Sequence, residues 1–203
     1  MYVRVWKRVL DVILFFVGFP FWLVILAIVG PMIHFEDKGP VFYVTPRLGK
    51  DGKVFHMYKF RTMKVGSPDI RVADGSTYSG ENDDRLTKIG RHLRKTSLDE
   101  TPQLINIIKG EMSVIGPRPD LPEDINAYTD AQKLKLEPRP GVTGYSQAYY
   151  RNSITASQKY DNDVFYVQNI CFLLDCKLFF RTAKVVFLKE NVYTAKIKHF
   201  GEA

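Results

Sequence analysis

The fold of this chain is decided by the stretch from Ser97 to Arg118, which reads Ser-Leu-Asp-Glu-Thr-Pro-Gln-Leu-Ile-Asn-Ile-Ile-Lys-Gly-Glu-Met-Ser-Val-Ile-Gly-Pro-Arg. Its pattern predicts a helix with Thr101 as N-cap and Pro102 as first helical residue, because proline suits a position whose N–H has no helical partner. Gly110 predicts the end of that helix. The helix therefore begins immediately after two acidic residues.

Those two residues, Asp99 and Glu100, stand at the positive end of the predicted helix dipole. Such an end favours anions, so it keeps a carboxylate ionised and also attracts a phosphate. An alternative is that Glu100 only forms a capping box with Ser97, for which the spacing is right. Pro102 argues against this alternative, because with Ser97 as cap it would occupy the fifth helical position, where its missing N–H is needed.

Length and composition indicate one catalytic domain with an appendage, since the chain has 203 residues of which 45% are hydrophobic. The net charge of +7 and the pI near 9.3 indicate an anionic partner: nucleic acid, an anionic membrane surface or a phosphorylated substrate. Charge alone does not choose among these. Cys171 and Cys176 are predicted to be buried thiols in a reducing compartment, not a disulfide or a metal pair.

A membrane segment is predicted from residue 12 to residue 33, a run of 22 residues without a charged side chain. This length is enough to cross a hydrocarbon core of roughly 30 Å. The run lacks the small-residue cleavage site of a secretory signal, so we expect it to be retained as an anchor.

Two paths through the membrane are open for this segment. Pro20 lies near its middle and predicts a kink, which would leave two arms each too short to cross alone and would favour a re-entrant hairpin. Basic residues flank both ends of the run, as expected if both ends lie in the cytoplasm; they are Arg4, Lys7 and Arg8 before it and Lys38, Arg47, Lys50 and Lys53 after it. A kinked transmembrane helix is the alternative.

A small β-hairpin is predicted after the anchor, with strands over residues 41–44 and 54–58 and a turn at 49–52. Lys59 and Arg61 follow at the end of the second strand, where cations either serve a site or protect an exposed edge. From residue 85 to 95, cations alternate with apolar residues at helical spacing, which predicts an amphipathic basic helix leading into Asp99.

Three arginines downstream lie in or beside turns: Arg118 between two prolines, Arg139 before Pro-Gly, and Arg151 before an asparagine. Such turns let backbone N–H groups and a guanidinium fork converge on phosphate oxygens. Residues 161–189 are strongly apolar but carry internal charges, which favours a helix packed on the core with some membrane contact.

These motifs occur in one order along the chain: Lys-Phe-Arg-Thr-Met from residue 59, Ser-Leu-Asp-Glu-Thr-Pro-Gln-Leu-Ile-Asn from 97, Ile-Gly-Pro-Arg-Pro from 115, Arg-Pro-Gly-Val-Thr-Gly from 139 and Tyr-Asp-Asn-Asp-Val-Phe-Tyr-Val from 160. With the basic N-terminus and the proline-broken apolar segment, the sequence resembles the small monotopic phosphoglycosyl transferases, the bacterial sugar transferase family. The resemblance runs from about residue 4 to residue 187.

The resemblance implies an enzyme that moves a phospho-sugar from a UDP-sugar to a polyprenol phosphate such as undecaprenyl phosphate. The reaction would release UMP and start a membrane-linked glycan at the cytoplasmic face of the bacterial inner membrane. The implied partners are the UDP-sugar donor, the polyprenol phosphate acceptor and membrane lipids, and not nucleic acid.

The expected fold class is α+β and mainly helical, with the small hairpin and an N-terminal re-entrant helix. Residues 1–36 would be the anchor, broken near Pro20, residues 37–190 the catalytic domain at the cytoplasmic face, and residues 191–203 a C-terminal tail. The family's usual serine before the proline is replaced by Phe19, so the break would rely on Gly18 and Pro20.

By the same resemblance, Asp99 is the nucleophile that becomes covalently phosphorylated, with Glu100 beside it and Mg²⁺ on the diphosphate. Both carboxylates are the predicted magnesium ligands. Taken together, the turns and the resemblance predict substrate- or phosphate-binding roles for Lys59, Arg61, Arg94, Arg118, Arg139, Arg151 and Asp163.

The residue types are compatible with this chemistry. A carboxylate attacking phosphorus splits one hard transfer into two easier ones, and bound cations neutralise the oxygen charge. A glycosidase is disfavoured, because neighbouring carboxylates do not face each other across the gap of ~5 to 9 Å that sugar hydrolysis uses. The main alternative is non-enzymatic: a membrane-tethered basic module that binds nucleic acid or anionic lipid.

Overall fold

A computed structural model describes residues 1–70, 78, 80, 83–151 and 153–188, so the predicted tail 191–203 lies outside the described residues. The described chain is mainly helical and its fold class is α+β, as predicted. Its helices are α1 (Lys7–Asp37), α2 (Lys88–Thr96), α3 (Leu104–Lys109), α4 (Tyr145–Tyr149), α5 (Ala156–Gln168) and α6 (Phe172–Leu188). Its strands are β1 (Phe42–Leu48), β2 (Val54–Phe60), β3 (Ser113–Ile115) and β4 (Gly141–Thr143). Short 3-10 helices cover Lys50–Gly52, Leu98–Gln103, Pro122–Ala127 and Gln132–Leu136, and a π-helical turn, Tyr2–Trp6, precedes α1.

The predicted hairpin is confirmed, and its strands are longer than the sequence indicated. β1 and β2 pair antiparallel from Phe42 opposite Phe60 to Leu48 opposite Val54. The turn between them needs the left-handed region, which Gly52 occupies with a φ of 72°. Directly opposite residues share a face, so Arg47, opposite Phe55, and Lys59, opposite Tyr43, project from the same side of the hairpin.

The apolar segment forms one helix that continues through Pro20, so the predicted division into two helices is not seen. A proline inside a helix removes one hydrogen bond and bends the axis without ending the helix. The helix extends to Asp37, one residue beyond the predicted anchor. Whether it bends within a bilayer stays a prediction.

The N-terminal end of α1 is hydrogen-bonded to the rest of the domain. The Asp11 carboxylate accepts from the Ser113 hydroxyl at 2.9 Å and from the Val114 backbone N–H at 2.8 Å. Arg8 donates to the carbonyl of Ile107 at 2.6 Å, at the C-terminal end of α3, where a cation is favoured. Residues that flank the apolar run therefore bind protein groups.

The C-terminal end of α1 is tied to the same domain. Glu36 accepts from the first backbone N–H groups of α2, at Lys88 (2.5 Å) and Ile89 (3.1 Å). Asp37 forms a two-pronged ion pair with Arg61, with both N···O distances at 2.5 Å. Both ends of the apolar run thus lie against one domain.

The middle of α1 contributes directly to the hydrophobic core. Phe15 packs with buried side chains of β2, α3 and the residue before β3, namely Phe55, Met57, Ile107 and Met112. Further along the helix, Val29 and Ile33 pack with Phe60 and Leu93. The core therefore crosses the predicted boundary between anchor and catalytic domain.

A large apolar surface stays exposed on α1 and α6. The span Tyr2–Asp37 has a window of 18 residues with a mean hydropathy of 2.9 and only 17% of it buried, which by length and composition is enough to cross a membrane. The exposed apolar side chains of the two helices include Phe16, Phe21, Val24, Ile28, Phe35, Leu173, Phe180 and Phe187. Such a surface marks contact with a membrane or another apolar partner. Cys171, just before α6, is exposed, so the prediction that it is buried is wrong.

The basic amphipathic helix is confirmed as α2, which begins with Thr87 as N-cap; the Thr87 hydroxyl accepts from the Gly90 N–H at 2.9 Å. Gly90 lies against the backbone that follows β2. A Cβ at Gly90 would stand 2.0 Å from the carbonyl oxygen of Thr62. Glycine is therefore required for this close approach.

We expect Gly90→Ala to lower the free energy of unfolding by about 1–3 kcal/mol or more, because the added methyl overlaps a backbone atom that has no room to move. Gly18→Ala is the matched control, since a Cβ there would meet only the Leu104 side chain, at 3.8 Å, and alanine favours a helix. Thermal unfolding in detergent micelles checks both variants. Equal midpoints for Gly90→Ala and the wild type would contradict the packing argument.

Two short parallel strands bring the arginine turns together. β3 pairs with β4 through Ser113 opposite Gly141 and Ile115 opposite Thr143. Gly116 and Gly141 face each other so closely that a Cβ on Gly141 would stand 2.1 Å from the Gly116 nitrogen. The glycines in the two turn motifs thus serve backbone contact.

Candidate active site

The two acidic residues lie in the 3-10 helix Leu98–Gln103, which continues directly into α3. The helix therefore starts before Thr101, and the predicted N-cap is wrong by several residues. Ser97 precedes it with a φ of 58° and makes no side-chain cap, so the capping box does not form. Instead, the Ser97 hydroxyl accepts from Arg151 at 2.8 Å.

A fully buried asparagine fixes α3 against β2. The Asn106 side-chain oxygen accepts from the Tyr58 backbone N–H at 3.0 Å, and its amide donates to the His56 carbonyl at 2.7 Å. Because Asn106 satisfies backbone groups on the edge of β2, it sets the position of α3 along that strand. The acidic residues one turn before α3 are thereby held over Lys59.

Lys59 and Glu100 form the central ion pair of the site. The Lys59 ammonium lies 2.6 Å from Glu100 Oε1, and the two side chains retain 18% and 25% of their exposure. The pair is therefore largely shielded from water but remains partly accessible. Shielding strengthens the attraction relative to an exposed pair.

The two carboxylates differ strongly in acidity. Burial raises the pKa of Asp99 to about 6, and the adjacent charge of Glu100 adds to the rise while Lys59 opposes it. Burial also acts to raise the pKa of Glu100, but the charges of Lys59 and Arg118 outweigh it and lower that pKa to about 2. Glu100 is thus ionised and paired with Lys59, whereas burial makes the ionised form of Asp99 less stable than it would be in water.

Other predicted arginines surround this pair. The charge of Arg94 lowers the pKa of Asp99, and its Nε donates to the Thr62 hydroxyl at 3.0 Å. The charges of Arg118 and Arg151 lower the pKa of Glu100. The structure therefore brings Lys59, Arg94, Arg118 and Arg151 together around the two acids.

A buried network holds the loop that carries Arg118. Lys135 is 2% exposed and pairs with Asp120 and, at 2.8 Å, with Asp163. Asp163 is completely buried, and burial raises its pKa to about 6, opposed by Lys135 and by a hydrogen bond from the Arg118 backbone N–H. The Asp163 carboxylate therefore holds the backbone of Arg118, and its role in substrate binding stays a prediction.

Two further predicted residues, Arg61 and Arg139, have side chains that bind protein groups away from the two acids. The Arg61 guanidinium is paired with Asp37, and its Nε donates to the Pro40 carbonyl at 2.6 Å, so it fastens the end of α1. The Nε of Arg139 donates to the Gly110 carbonyl at 2.7 Å, at the end of α3. Neither residue lines the cavity beside Glu100.

That cavity contains residues which sequence reasoning missed. Its lining consists of Arg47, Met57, Lys59, Glu100, Gln103, Arg118, Pro119, Gly141 and Val142. Arg47 had been read only as a flanking charge of the membrane segment, and no motif marked Gln103 as a cavity residue. The alternation of side chains along β1, counted against Lys59 on β2, is the signal that would have indicated Arg47.

The acids suit a magnesium ion. Within the described residues no group of three or more His, Cys, Asp or Glu side chains converges. Mg²⁺ does not need one, because it is commonly held by one or two carboxylates together with substrate phosphates and water. Asp99 and Glu100 supply such hard oxygen ligands, so the residues present fit the predicted ion.

Sequence comparison finds a family model and related proteins that match most of this chain. The family model described as bacterial sugar transferase matches residues 2–189. An uncharacterized sugar transferase of Bacillus subtilis, EpsL, is 40% identical over 169 residues, which cover 83% of this chain and 81% of that protein.

Two longer proteins are also similar. The undecaprenyl-phosphate galactose phosphotransferase of Salmonella typhimurium is 36% identical over 188 residues, covering 84% of this chain but 40% of that protein. The UDP-N-acetylgalactosamine-undecaprenyl-phosphate N-acetylgalactosaminephosphotransferase of Aeromonas hydrophila is 29% identical over 186 residues, covering 89% and 43%. The present chain thus spans less than half the length of each of these two relatives.

Proposed function

This chain belongs to the bacterial sugar transferase family, and from that premise we propose that it transfers a sugar phosphate from a UDP-sugar to undecaprenyl phosphate. The names of the Salmonella and Aeromonas relatives support the acceptor and the type of reaction, and the second also supports the UDP-linked donor. The products would be UMP and a lipid-linked sugar diphosphate. A panel of UDP-sugars assayed for UMP release would identify the sugar that is transferred.

The observation that carries this proposal is the pairing of two unequal carboxylates within a cluster of cations. Asp99 has a pKa raised by burial to about 6, so it is ionised at neutral pH yet poorly stabilised as an anion. A carboxylate in that state is a competent nucleophile. Lys59, Arg94, Arg118 and Arg151 provide the positive charge that a diphosphate requires.

The proposed chemistry has two steps at one phosphorus. A carboxylate oxygen of Asp99 attacks the phosphorus that carries the sugar, and the bond from that phosphorus to the bridging oxygen breaks, releasing UMP. A phosphate oxygen of the acceptor then attacks the same phosphorus and frees the Asp99 carboxylate. Bound Mg²⁺ would neutralise charge on the diphosphate, held by Asp99 and Glu100.

Residues around Asp99 have separate roles in this scheme. Lys59 holds Glu100 ionised and in place at 2.6 Å. Arg118 faces the cavity, where a guanidinium fork suits phosphate oxygens. Partial burial of the site limits the access of water, which would otherwise hydrolyse the aspartyl phosphate.

The first test uses the donor alone. We expect mass spectrometry to detect a sugar-phosphate adduct on Asp99 when the enzyme is mixed with the UDP-sugar that it accepts. Because only the ionised carboxylate attacks, the rate of adduct formation should fall about tenfold per pH unit below about pH 6. Because no acceptor is present, ionisation of the acceptor phosphate does not contribute to this pH–rate profile. A rate that stays constant down to pH 4.5, or the absence of any adduct with a complete donor panel, would contradict the proposal.

We also propose that the protein is monotopic, with its catalytic domain at the cytoplasmic face of the inner membrane. The support is that Asp11 and Glu36, close to the two ends of the apolar run, bind backbone groups of the same domain. A straight helix of 31 residues is about 46 Å long, so a crossing through a bilayer core of roughly 30 Å would separate those ends.

Cysteine labelling tests this topology. In a background with both native cysteines replaced by serine, Arg4→Cys and Lys53→Cys place thiols at exposed positions before and after the apolar run. We expect a membrane-impermeant maleimide to leave both unlabelled in intact cells and to label both in inverted vesicles. Labelling of only the first position in intact cells would exclude the monotopic arrangement.

A further inference from the structure

Arg47 lies inside the cavity of the proposed active site. It is on β1, on the same face of the hairpin as Lys59, and it lines the cavity together with Glu100 and Arg118. The side chain is largely enclosed, and its Nε is a buried donor without a hydrogen-bond partner within the part of the chain that the structure describes. An enclosed, charged donor that no described protein group satisfies is a candidate for binding a ligand.

The charged side chains that act on Arg47 are one guanidinium, that of Arg118, and two carboxylates, those of Asp120 and Asp124. Burial lowers the pKa of Arg47, and the neighbouring charge of Arg118 lowers it further. Asp120 opposes these effects, but its carboxylate already accepts from Lys135 and, at 2.7 Å, from the Tyr128 hydroxyl. Within the described residues, neither of these two neighbouring guanidinium groups forms an ion pair or a hydrogen bond with a carboxylate.

Other enclosed arginines in the described chain behave differently. Arg61 is held by both oxygens of Asp37. Arg85 is held by both oxygens of Asp83, at 2.9 Å and 2.7 Å. Each of these structural arginines has its own acid, so the absence of one at Arg47 distinguishes it from them.

We propose that Arg47 and Arg118 together form a phosphate subsite beside the Lys59–Glu100 pair. The ligand is a phosphate group of a substrate, which accepts from the Nε of Arg47 and neutralises the two guanidinium groups. The proposal rests on the proposed function, in which two phosphates must be bound besides the one that is transferred: the nucleotide phosphate of the donor and the phosphate of the polyprenol acceptor.

The test compares Arg47→Gln with Arg91→Gln, the same change at an exposed arginine on α2. Three measurements are made on the full-length protein in detergent: the affinity for UDP by titration calorimetry, the rate of adduct formation from donor alone, and the rate of adduct discharge by a polyprenol phosphate. Loss of charge-assisted hydrogen bonds to phosphate should cost about tenfold or more in the affected step.

The pattern of losses assigns the phosphate. Weaker UDP binding and slower adduct formation with normal discharge identify the donor phosphate, whereas slower discharge alone identifies the acceptor phosphate. Either pattern supports the subsite. Values within twofold of Arg91→Gln in all three measurements overturn it.

Thermal unfolding separates this role from a structural one. Removal of Arg47 should leave the midpoint unchanged or raise it, because it relieves the repulsion from Arg118 and the cost of burying the charge. A lower midpoint with no change in the three measurements would assign Arg47 to folding and overturn the subsite. A wild-type protein that binds UDP but never forms the adduct would contradict the proposed function, while the UDP titration would still decide whether Arg47 binds a nucleotide phosphate.

Discussion

Replacement of Asp99 by asparagine is expected to abolish sugar-phosphate transfer, with a fall on the order of 10⁴-fold or more in the rate of UMP release. The amide has nearly the shape of the carboxylate but does not attack phosphorus, so no adduct should be found with donor alone. Glu100 does not substitute for it, because Lys59 and Arg118 hold its pKa at about 2 and Lys59 is bound to it at 2.6 Å. A carboxylate of such low basicity is a poor nucleophile.

The same variant should fold at least as well as the wild type. The pKa of Asp99 is raised to about 6 by burial, which means that the folded protein disfavours its charge at neutral pH. Asparagine removes that charge, so the thermal midpoint should be equal or higher. Asp130→Asn is the matched control, since the Asp130 side chain is 98% exposed and pairs with Lys133 at 2.8 Å. Full activity of Asp99→Asn would remove the basis of the mechanism.

Replacement of Lys59 by glutamine should reduce transfer by about 10²–10³-fold, the cost commonly seen when one donor that stabilises developing charge is removed. Lys59 lowers the pKa of both Asp99 and Glu100, so its loss should raise both. The acid limb of the pH–rate profile for adduct formation should therefore move to higher pH. At pH 6, part of the activity lost in Lys59→Gln should therefore come from protonation of Asp99, which removes the nucleophile.

Lys59→Arg keeps the charge and should recover part of the activity and return the acid limb toward its original position. Lys50→Gln, in the exposed turn of the same hairpin, is the control for a lost lysine and should behave like the wild type. An acid limb that does not move in Lys59→Gln would show that this ammonium does not set the ionisation of the site, contrary to the electrostatic argument.

The elements best predicted from the sequence are those with strong local signals. The Gly-rich turn at 49–52 and the flanking apolar runs indicated the hairpin, and the alternation of cations and apolar residues over 85–95 indicated α2. The strand pair β3–β4 was not predicted, because three-residue strands joined across 25 residues leave no periodic pattern in the chain. Its clearest trace was the pair Gly116 and Gly141, which were interpreted as turn residues.

Within the site, the sequence identified which residue types matter better than where each side chain points. Lys59, Glu100 and Arg118 meet as expected, whereas Arg61 is bound by Asp37, 24 positions earlier in the chain. Asp163 is completely buried and does not line the cavity beside Glu100. A local motif does not reveal such partners, because an arginine that binds phosphate and one that binds a distant carboxylate look identical in sequence.

The apolar segment illustrates the same limit. Its length and hydropathy indicated a membrane anchor, and its exposed face agrees with that. The sequence did not indicate that Phe15 and Ile33 belong to the hydrophobic core, because a helix that contacts both lipid and protein is apolar on every side. Lys7 and Arg8, interpreted as basic residues that flank the segment on the cytoplasmic side, bind Asp175 and the end of α3.

Because α1 supplies side chains to two parts of the core, it waits during synthesis for partners that are made later. The ribosome makes Phe15 long before Ile107 and Met112, the residues that cover it. During that interval the emerging helix has no protein partner, so lipid or a chaperone must shelter it. Shelter of α1 therefore comes before assembly of the core that positions the catalytic centre.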